Sequence, residues 1–503
     1  MLAVAHGHPH VRNADLARGV HHPGRRTHHE PAADPERESV GNGLRVTDAD
    51  DVRARESDQF HWLDERQHGR AIDRSGRLGA GQLNSTGSAP DRLRRRLGLG
   101  DAVLIGLGSM IGAGVFAAFG PAAQAAGSGL LIGLGLAAVV AYCNATSSAR
   151  LAARHPESGG TYVYGRERLG PFWGFLAGWS FVVGKLASGA AMALTFASYA
   201  APGHVRLVAV AAVVALTAVN YLGIHKSAWL TRVIVAVTLV CLGVVVVACL
   251  GGGTATSSNL LPIRGGSVHG IVQAAGLLFF AFAGDARIAT LGEEVREPRR
   301  TIPRAITTAL AITLVVYGVV AVSALLAVGP QALAASTAPL RTAVDAGSLH
   351  GLAWAVRVGA TVAALGSLMS VILGISRTTL ALARDGRLPR ALAAIHPRYE
   401  VPHRAELAVG GVVAVLAATL DLRGAIGFSS FGVLLYYAIA NASARTLRAD
   451  ENPPPPWLPL LGLAGCLVLA ASLPWAAVLG GLIVAAIGCG WWLVVSRTAT
   501  PTP

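Results

Sequence analysis

Two short stretches of this sequence set glycine, and in one case charge, inside otherwise apolar segments. The first is Leu107-Gly-Ser-Met-Ile-Gly-Ala-Gly-Val-Phe116 and the second is Phe279-Phe-Ala-Phe-Ala-Gly-Asp-Ala-Arg287. Each glycine in a helix interior costs about 1 kcal/mol relative to alanine. Such a cluster either lets another helix approach closely, as the spacing of Gly108 and Gly112 would, or unwinds its own helix. The first stretch alone leaves both readings open. The second adds Asp285 and Arg287 beside Gly284, and ionisable groups within an apolar span are costly unless they face protein or water.

Unwinding would turn backbone groups into ligands. An interruption near Gly112 frees the amides of Gly112, Ala113 and Gly114 at the positive end of the outer half-helix, which suits a carboxylate. It also frees carbonyls near Ser109 and Met110. The second interruption would free carbonyls from Phe280 through Phe282 to Ala283, and these suit an ammonium group. One cavity offering both ends describes a zwitterionic amino acid. Lys185, flanked by Gly184 and Ser188, is a further charge inside an apolar run. Asp285 is expected to pair with Lys185 or Arg287, or else to touch the ligand directly. A side chain reaching the membrane interface by snorkelling is the remaining reading.

Other chemistries find less support. Outside the N-terminal region the histidines are His155, His204, His225, His269, His350, His396 and His403, scattered with no close metal-ligand spacing. No glycine-rich nucleotide loop follows a soluble strand. The five cysteines all fall in apolar runs and read as small packing residues. No enzyme active site, cofactor or metal is therefore expected.

The elements that carry these stretches follow from composition. Of the 503 residues, 52% are hydrophobic and only 14% are charged, against about 25% charged in soluble domains. Apolar segments of about 20 residues recur, the length that crosses a bilayer core of about 30 Å. Twelve are expected, over 101–120, 127–149, 172–200, 205–223, 227–251, 268–291, 304–328, 352–378, 405–420, 424–443, 457–473 and 475–496. They read as helices, because open sheets cannot span lipid and the alternation of a barrel is missing. The net charge of +14 would suggest nucleic acid in a soluble protein, but here it sits in the tail and the loops, so no nucleic-acid partner is expected.

Loop charge gives orientation. Counting loops by the spans they join, 2–3 holds Arg150, Arg154, Arg166 and Arg168, and 6–7 holds Arg296, Arg299, Arg300 and Arg304. Loop 8–9 holds Arg384, Arg387, Arg390, Arg398 and Arg404. The intervening loops carry about one basic residue each: Arg206, Arg264, Arg341 and Arg423. Both termini are thus expected in the cytoplasm, with the chain in the plasma membrane. Residues 1–90 are polar and rich in His, Arg and Pro, and read either as a disordered tail or as the product of a misassigned start. Residues 91–443 form the expected core of ten spans, and 444–503 hold two peripheral spans and a short tail.

Interruptions in spans 1 and 6 are the sign of two inverted five-helix repeats around a central site. Gly108-Ser-Met-Ile-Gly-Ala-Gly-Val-Phe116 resembles the span 1 signature of the amino acid–polyamine–organocation permeases. Phe279-Phe-Ala-Phe-Ala-Gly284 with Glu293-Glu-Val-Arg-Glu-Pro298 resembles their span 6 and its exit. Glu157-Ser-Gly-Gly-Thr-Tyr162 and Ala383-Arg-Asp-Gly386 look like two more motifs of that family, in the expected order. The likeness covers about residues 92–496 and implies an all-α integral membrane protein of the LeuT type, five plus five helices with discontinuous helices 1 and 6 and two peripheral spans. It implies secondary active transport of amino acids or related amines, most simply proton-linked uptake, with exchange as the alternative, sodium as another coupling ion, and a channel or sensor as the rival class. Three positions depart from the pattern. Asp285, Ala286 and Arg287 follow Gly284 directly. Thr238 stands where some proton-coupled relatives carry lysine. Ala113 stands where some carry serine, which leaves only backbone donors.

Overall fold

The computed structural model describes residues 97–155, 159–223, 228–260, 266–284, 288 and 295–498, all within one compact unit, Arg92–Pro503. The tail expected over residues 1–90 lies outside the described residues. The helices in chain order are α1 (Leu99–Met110), α2 (Ala113–Ala117), α3 (Phe119–Ala126), α4 (Leu130–Arg154), α5 (Thr161–Leu169), α6 (Pro171–Ala200), α7 (Val205–Tyr221), α8 (Ala228–Gly251) and α9 (Val268–Phe282). They continue with α10 (Pro298–Ala335), α11 (Pro339–Asp345), α12 (Ala353–Arg384), α13 (His403–Thr419), α14 (Leu422–Ala444), α15 (Trp457–Ser472) and α16 (Trp475–Thr498).

Each of the twelve expected segments overlaps helix among the described residues, although the first is interrupted at Ile111 and Gly112 and the sixth, expected over 268–291, is helix to Phe282, with most of its remainder outside the described residues. Among the described residues, nine helical stretches are long and apolar enough to cross a bilayer. Val268–Phe282 and Trp457–Ser472 are apolar but shorter, and α13 has 17 residues. Several helices overrun the apolar windows. The first span continues through α3 to Ala126, α10 begins at Pro298, and α12 ends at Arg384. Polar turns outside the hydrocarbon can stay helical, so hydropathy marks the bilayer crossing rather than the helix end.

Burial sorts the helices. The apolar window of Leu422–Ala444 is 83% buried inside the protein, whereas that of Trp475–Arg497 is 11% buried and turns its side chains outward. Leu207, Val240, Leu482 and Trp475 are correspondingly exposed apolar side chains, as a lipid-facing surface requires. At the centre, α6 and α14 touch backbone to backbone: a Cβ on Gly432 would lie 2.7 Å from the Gly184 Cα. Only glycine at both positions permits that approach.

Loop contacts divide the bundle into two ends. At one end Leu97 bridges Val295, Arg232 pairs with Asp101 at 2.9 Å, and the Tyr162 hydroxyl donates to Asp385. Arg168 and Arg154 both grip Glu451 there, at 2.6 and 2.7 Å, and their hydrogen bonds hold its carboxyl well below the usual range. Burial and the Asp385 contact push the Tyr162 phenol up. At the other end Arg357 donates to the Tyr199 carbonyl at 3.2 Å, Arg423 donates to Gln273 at 3.1 Å, and Gln273 donates to the Ser472 carbonyl at 2.9 Å. The first set joins the N-terminal segment with the ends of the bundle at loops 2–3, 4–5, 6–7, 8–9 and 10–11, and the second joins the ends at loops 3–4, 5–6, 7–8, 9–10 and 11–12. This segregation matches the alternation of loop charge.

One kink illustrates how freed backbone groups are satisfied. Within α10, Gly329 has φ +73° and is followed by Pro330, which has no N–H to donate to Leu326 four residues back. The Asn259 side-chain amide and the Thr256 N–H both donate to that Leu326 carbonyl, each at 3.0 Å.

A buried polar network ties α4, α14 and α15. Asn441 donates to Asn144 at 2.7 Å, Ser147 donates to Asn441 at 2.7 Å, and the Cys466 thiol donates to Asn144 at 3.3 Å. Removing the central amide with Asn441→Ala leaves two buried partners short of hydrogen bonds, and the protein is expected to lose about 1–2 kcal/mol. Thermal unfolding of the purified protein in detergent measures this. A midpoint unchanged from wild type would show that the network adds nothing.

Candidate functional site

The site begins where α1 stops. Ile111 leaves helical geometry with ψ +74°, and its N–H still closes on the Leu107 carbonyl at 2.7 Å. Gly112 takes φ −126° and ψ −144°, and its N–H turns back onto the Met110 carbonyl at 2.8 Å. Helix resumes at Ala113, so the amides of Ala113, Gly114 and Val115 are the first of a new helix and have no partner within it. Ala118, between α2 and α3, has φ −74° and ψ −22°, so helical geometry runs on to Ala126 and aligns further peptide dipoles behind those amides.

The glycines of this stretch do different things. Gly108 serves packing: a Cβ there would sit 2.9 Å from Thr231 on α8. Gly112 lies at the interruption, and a Cβ there would collide with the Ser367 hydroxyl of α12. Gly114 lets α2 rest on α9, with its Cβ position 2.7 Å from the Ala281 Cα. Both alternatives raised by the sequence, close packing and unwinding, are thus realised at different glycines.

The second stretch meets the first. α9 ends at Phe282, and Ala283 and Gly284 form a turn. A side chain at Gly284 would collide with the Ser109 carbonyl. Asp285 and Arg287 lie outside the described residues, and with them the expected Asp285–Lys185 and Asp285–Arg287 pairs.

Two side chains from other helices close on the junction. The hydroxyl of Tyr317 on α10 lies 2.7 Å from the Met110 carbonyl and 3.2 Å from the Ala281 carbonyl, sharing one proton between the two interrupted segments. Tyr317 is fully buried and its ring packs on Phe282 at 5.3 Å. The Met110 carbonyl, accepting from both Gly112 and Tyr317, has both lone pairs engaged. Any further donor reaches it only by displacing one of them. From α6, the Lys185 ammonium donates to the Ala283 carbonyl at 3.1 Å, with the Phe181 ring 6.0 Å from its nitrogen. A fixed cation therefore sits at the negative end of α9.

The other candidates fall as follows. The Ser109 hydroxyl bonds its own helix at Ile105, 3.0 Å away. Thr238 is buried on α8 and bonds back to Ile234 at 2.7 Å. It lies one turn beyond Val235, a residue that packs on Gly108, and so shares the face turned to α1. Phe280 is nearly buried, at 7% exposure, and Phe282 is fully buried. Sequence reasoning missed Tyr317 and Ser367. A tyrosine in the middle of an apolar span was the available signal for the first. A serine among small helical residues gives none.

A family model described as amino acid permease matches residues 97–500. An uncharacterized transporter of Mycobacterium tuberculosis is 65% identical over 416 residues, which is 82% of this chain and 94% of that protein. A branched-chain amino acid permease of Bacillus subtilis is 28% identical over 444 residues, 82% of this chain and 95% of its own length. The human cationic amino acid transporter 4 is 31% identical over 394 residues, 72% of this chain and 61% of its own. The extent of these matches, together with the apolar helices, establishes that the chain is a multi-pass membrane transporter of the amino acid permease family, within the amino acid–polyamine–organocation superfamily.

Proposed function

We propose that this permease takes up an amino acid or a related amine by alternating access, linked to the inward movement of protons. In this reading twelve spans cross the plasma membrane with both termini in the cytoplasm, and the first ten form two inverted repeats of five. The observation that carries it is the meeting of the two interruptions, which sets the first amides of α2 beside the carbonyls that end α9. The substrate carboxylate rests on the amides of Ala113 and Gly114, since the Gly112 amide is already spent on Met110. The substrate ammonium rests on carbonyls between Phe280 and Ala283, to which Tyr317 and Lys185 donate. Substrate binding thus replaces internal hydrogen bonds instead of meeting bare carbonyls, and so loosens the junction that holds α1 to α9. A branched-chain amino acid permease and a cationic amino acid transporter among the relatives fit this substrate class. Amino acid exchange through the same site is the second reading, and the same junction supports it.

Gly112→Leu forces a side chain into Ser367. It is expected to abolish uptake of radiolabelled amino acids while leaving membrane insertion intact, and normal uptake by that variant would remove the site. Tyr317→Phe unties the two interruptions and is expected to change the apparent substrate affinity in counterflow by about tenfold, the scale of one buried hydrogen bond. An unchanged affinity would show that the hydroxyl only braces the helices. Lys185→Ala takes the fixed cation from the end of α9. It should lower both uptake and counterflow and change the pH profile of uptake. A profile and rate equal to wild type would leave Lys185 without a role.

A further inference from the structure

Among the described residues, Glu406 is the one acidic or basic side chain that is completely buried. It sits in the first turn of α13, and neither of its carboxylate oxygens has a hydrogen-bond partner. An ionised carboxylate removed from water without hydrogen bonds is far more costly than the neutral acid. This packing therefore suits the protonated acid, and ionisation requires water or a movement of α13.

The surroundings give that proton a partner and a way out. α13 packs on α6, α7, α12 and the short turn of helix at Arg390–Ala393. Gly410 of α13 lies against Thr217 of α7. The two helices run antiparallel, so this register sets Glu406 at the level of Asn220 and Tyr221. The side-chain oxygen of Asn220 is buried and without a hydrogen-bond partner, an acceptor suited to a carboxylic acid proton. On α12 the charged neighbour is Arg377, which is exposed and makes no hydrogen bond to Glu406. On α6, Lys185 is turned to the Ala283 carbonyl. Arg404 on α13 and Arg390 are exposed. One turn before Glu406 on the same helix stands His403, whose Nδ1 is buried and unpartnered. Its ring lies 5.4 Å from that of His396 and 6.3 Å from that of Tyr221. His396 accepts the N–H groups of Arg398 and Tyr399 at Nδ1, so its mobile proton is on Nε2.

We infer that Glu406 is a proton-binding site of the transport cycle, and that His403 passes its proton to the cytoplasm. In the packed state Glu406 holds the proton. When the cytoplasmic end opens, the acid gives it to His403 Nδ1, a proton leaves the imidazolium at Nε2 to water, and the carboxylate remains hydrated. The empty carrier returns with the carboxylate hydrated, and the proton that restores the packed acid enters from the opposite side, so that one proton moves inward in each cycle. The inference rests on the proton-linked uptake proposed above and adds a site that lies away from the substrate junction.

Proteoliposomes containing the full chain test it, with amino acid accumulation driven by an inward proton gradient compared with counterflow, which needs no gradient. Glu406→Gln, a neutral isostere of the protonated acid, is expected to lose gradient-driven accumulation and to keep counterflow within about twofold, a change too small to mark a lost hydrogen bond. Glu406→Asp, which restores a titrating carboxyl, should recover part of the accumulation. His403→Gln should slow accumulation without affecting counterflow. If Glu406→Gln accumulates substrate like wild type, the inference fails while the transport reading stands. If it loses counterflow as well, or its thermal stability collapses because an ionised partner of Arg377 has been removed, the inference also fails. Should the wild type itself show neither activity with any amino acid, the substrate reading fails. The infrared carbonyl band of the protonated acid, present in wild type at low pH and missing in Glu406→Gln, would then still support the proton site, and its absence from wild type would overturn it.

Discussion

Hydrocarbon offers no hydrogen bonds, so a backbone group left open at that depth must be answered by the protein itself. The interruption between Met110 and Ala113 is the point at which this constraint presses hardest. Gly112 folds its own amide onto Met110, Tyr317 reaches across to the same carbonyl, and α9 arrives with its last turn, whose Ala281 carbonyl shares the Tyr317 hydroxyl. The arrangement of α1, α9, α10 and α12 around that point follows from the need to supply donors and acceptors there. Glycine at 112, 114 and 284 is required because the answering groups are backbone atoms or a hydroxyl within contact distance.

The kink in α10 meets the same constraint with a different outcome. There the carbonyl freed by Pro330 receives two donors, one from the Asn259 side chain and one from the Thr256 amide. Both come from one short segment after α8, so the kink is closed by groups that stay with it. At the junction of α1 and α9 the donors are a tyrosine hydroxyl that serves two carbonyls and a lysine on a long stem. In the proposed function, these shared and reaching donors are the ones a substrate replaces, whereas the donors that close the α10 kink serve the bend alone.

Much of this was legible in the sequence because lipid makes helix position a matter of hydropathy. The twelve apolar windows overlap helices among the described residues, and loop arginines divide as the loop contacts do. The helix ends were less legible, since polar turns such as the one reaching Arg384 lie beyond the apolar windows and still hold their backbone bonds. The glycines of span 1 signalled an unusual local backbone but did not say which served packing, because that depends on partners distant in sequence: Thr231 for Gly108 and Ser367 for Gly112. Tyr317 and Glu406 gave weaker signals still. A single polar residue in or beside an apolar run acquires meaning only when the atoms opposite it are known. The two family motifs at residues 157–162 and 383–386 could be aligned by likeness, but not the contact that joins Tyr162 to Asp385.

The glycine pair at 184 and 432 has a mechanical consequence. With no side chain between them, α6 and α14 meet backbone to backbone, and a side chain at either position would drive the two helices apart. Lys185 is the very next residue on α6, so the side chain that holds the Ala283 carbonyl springs from the point where two helices meet backbone to backbone.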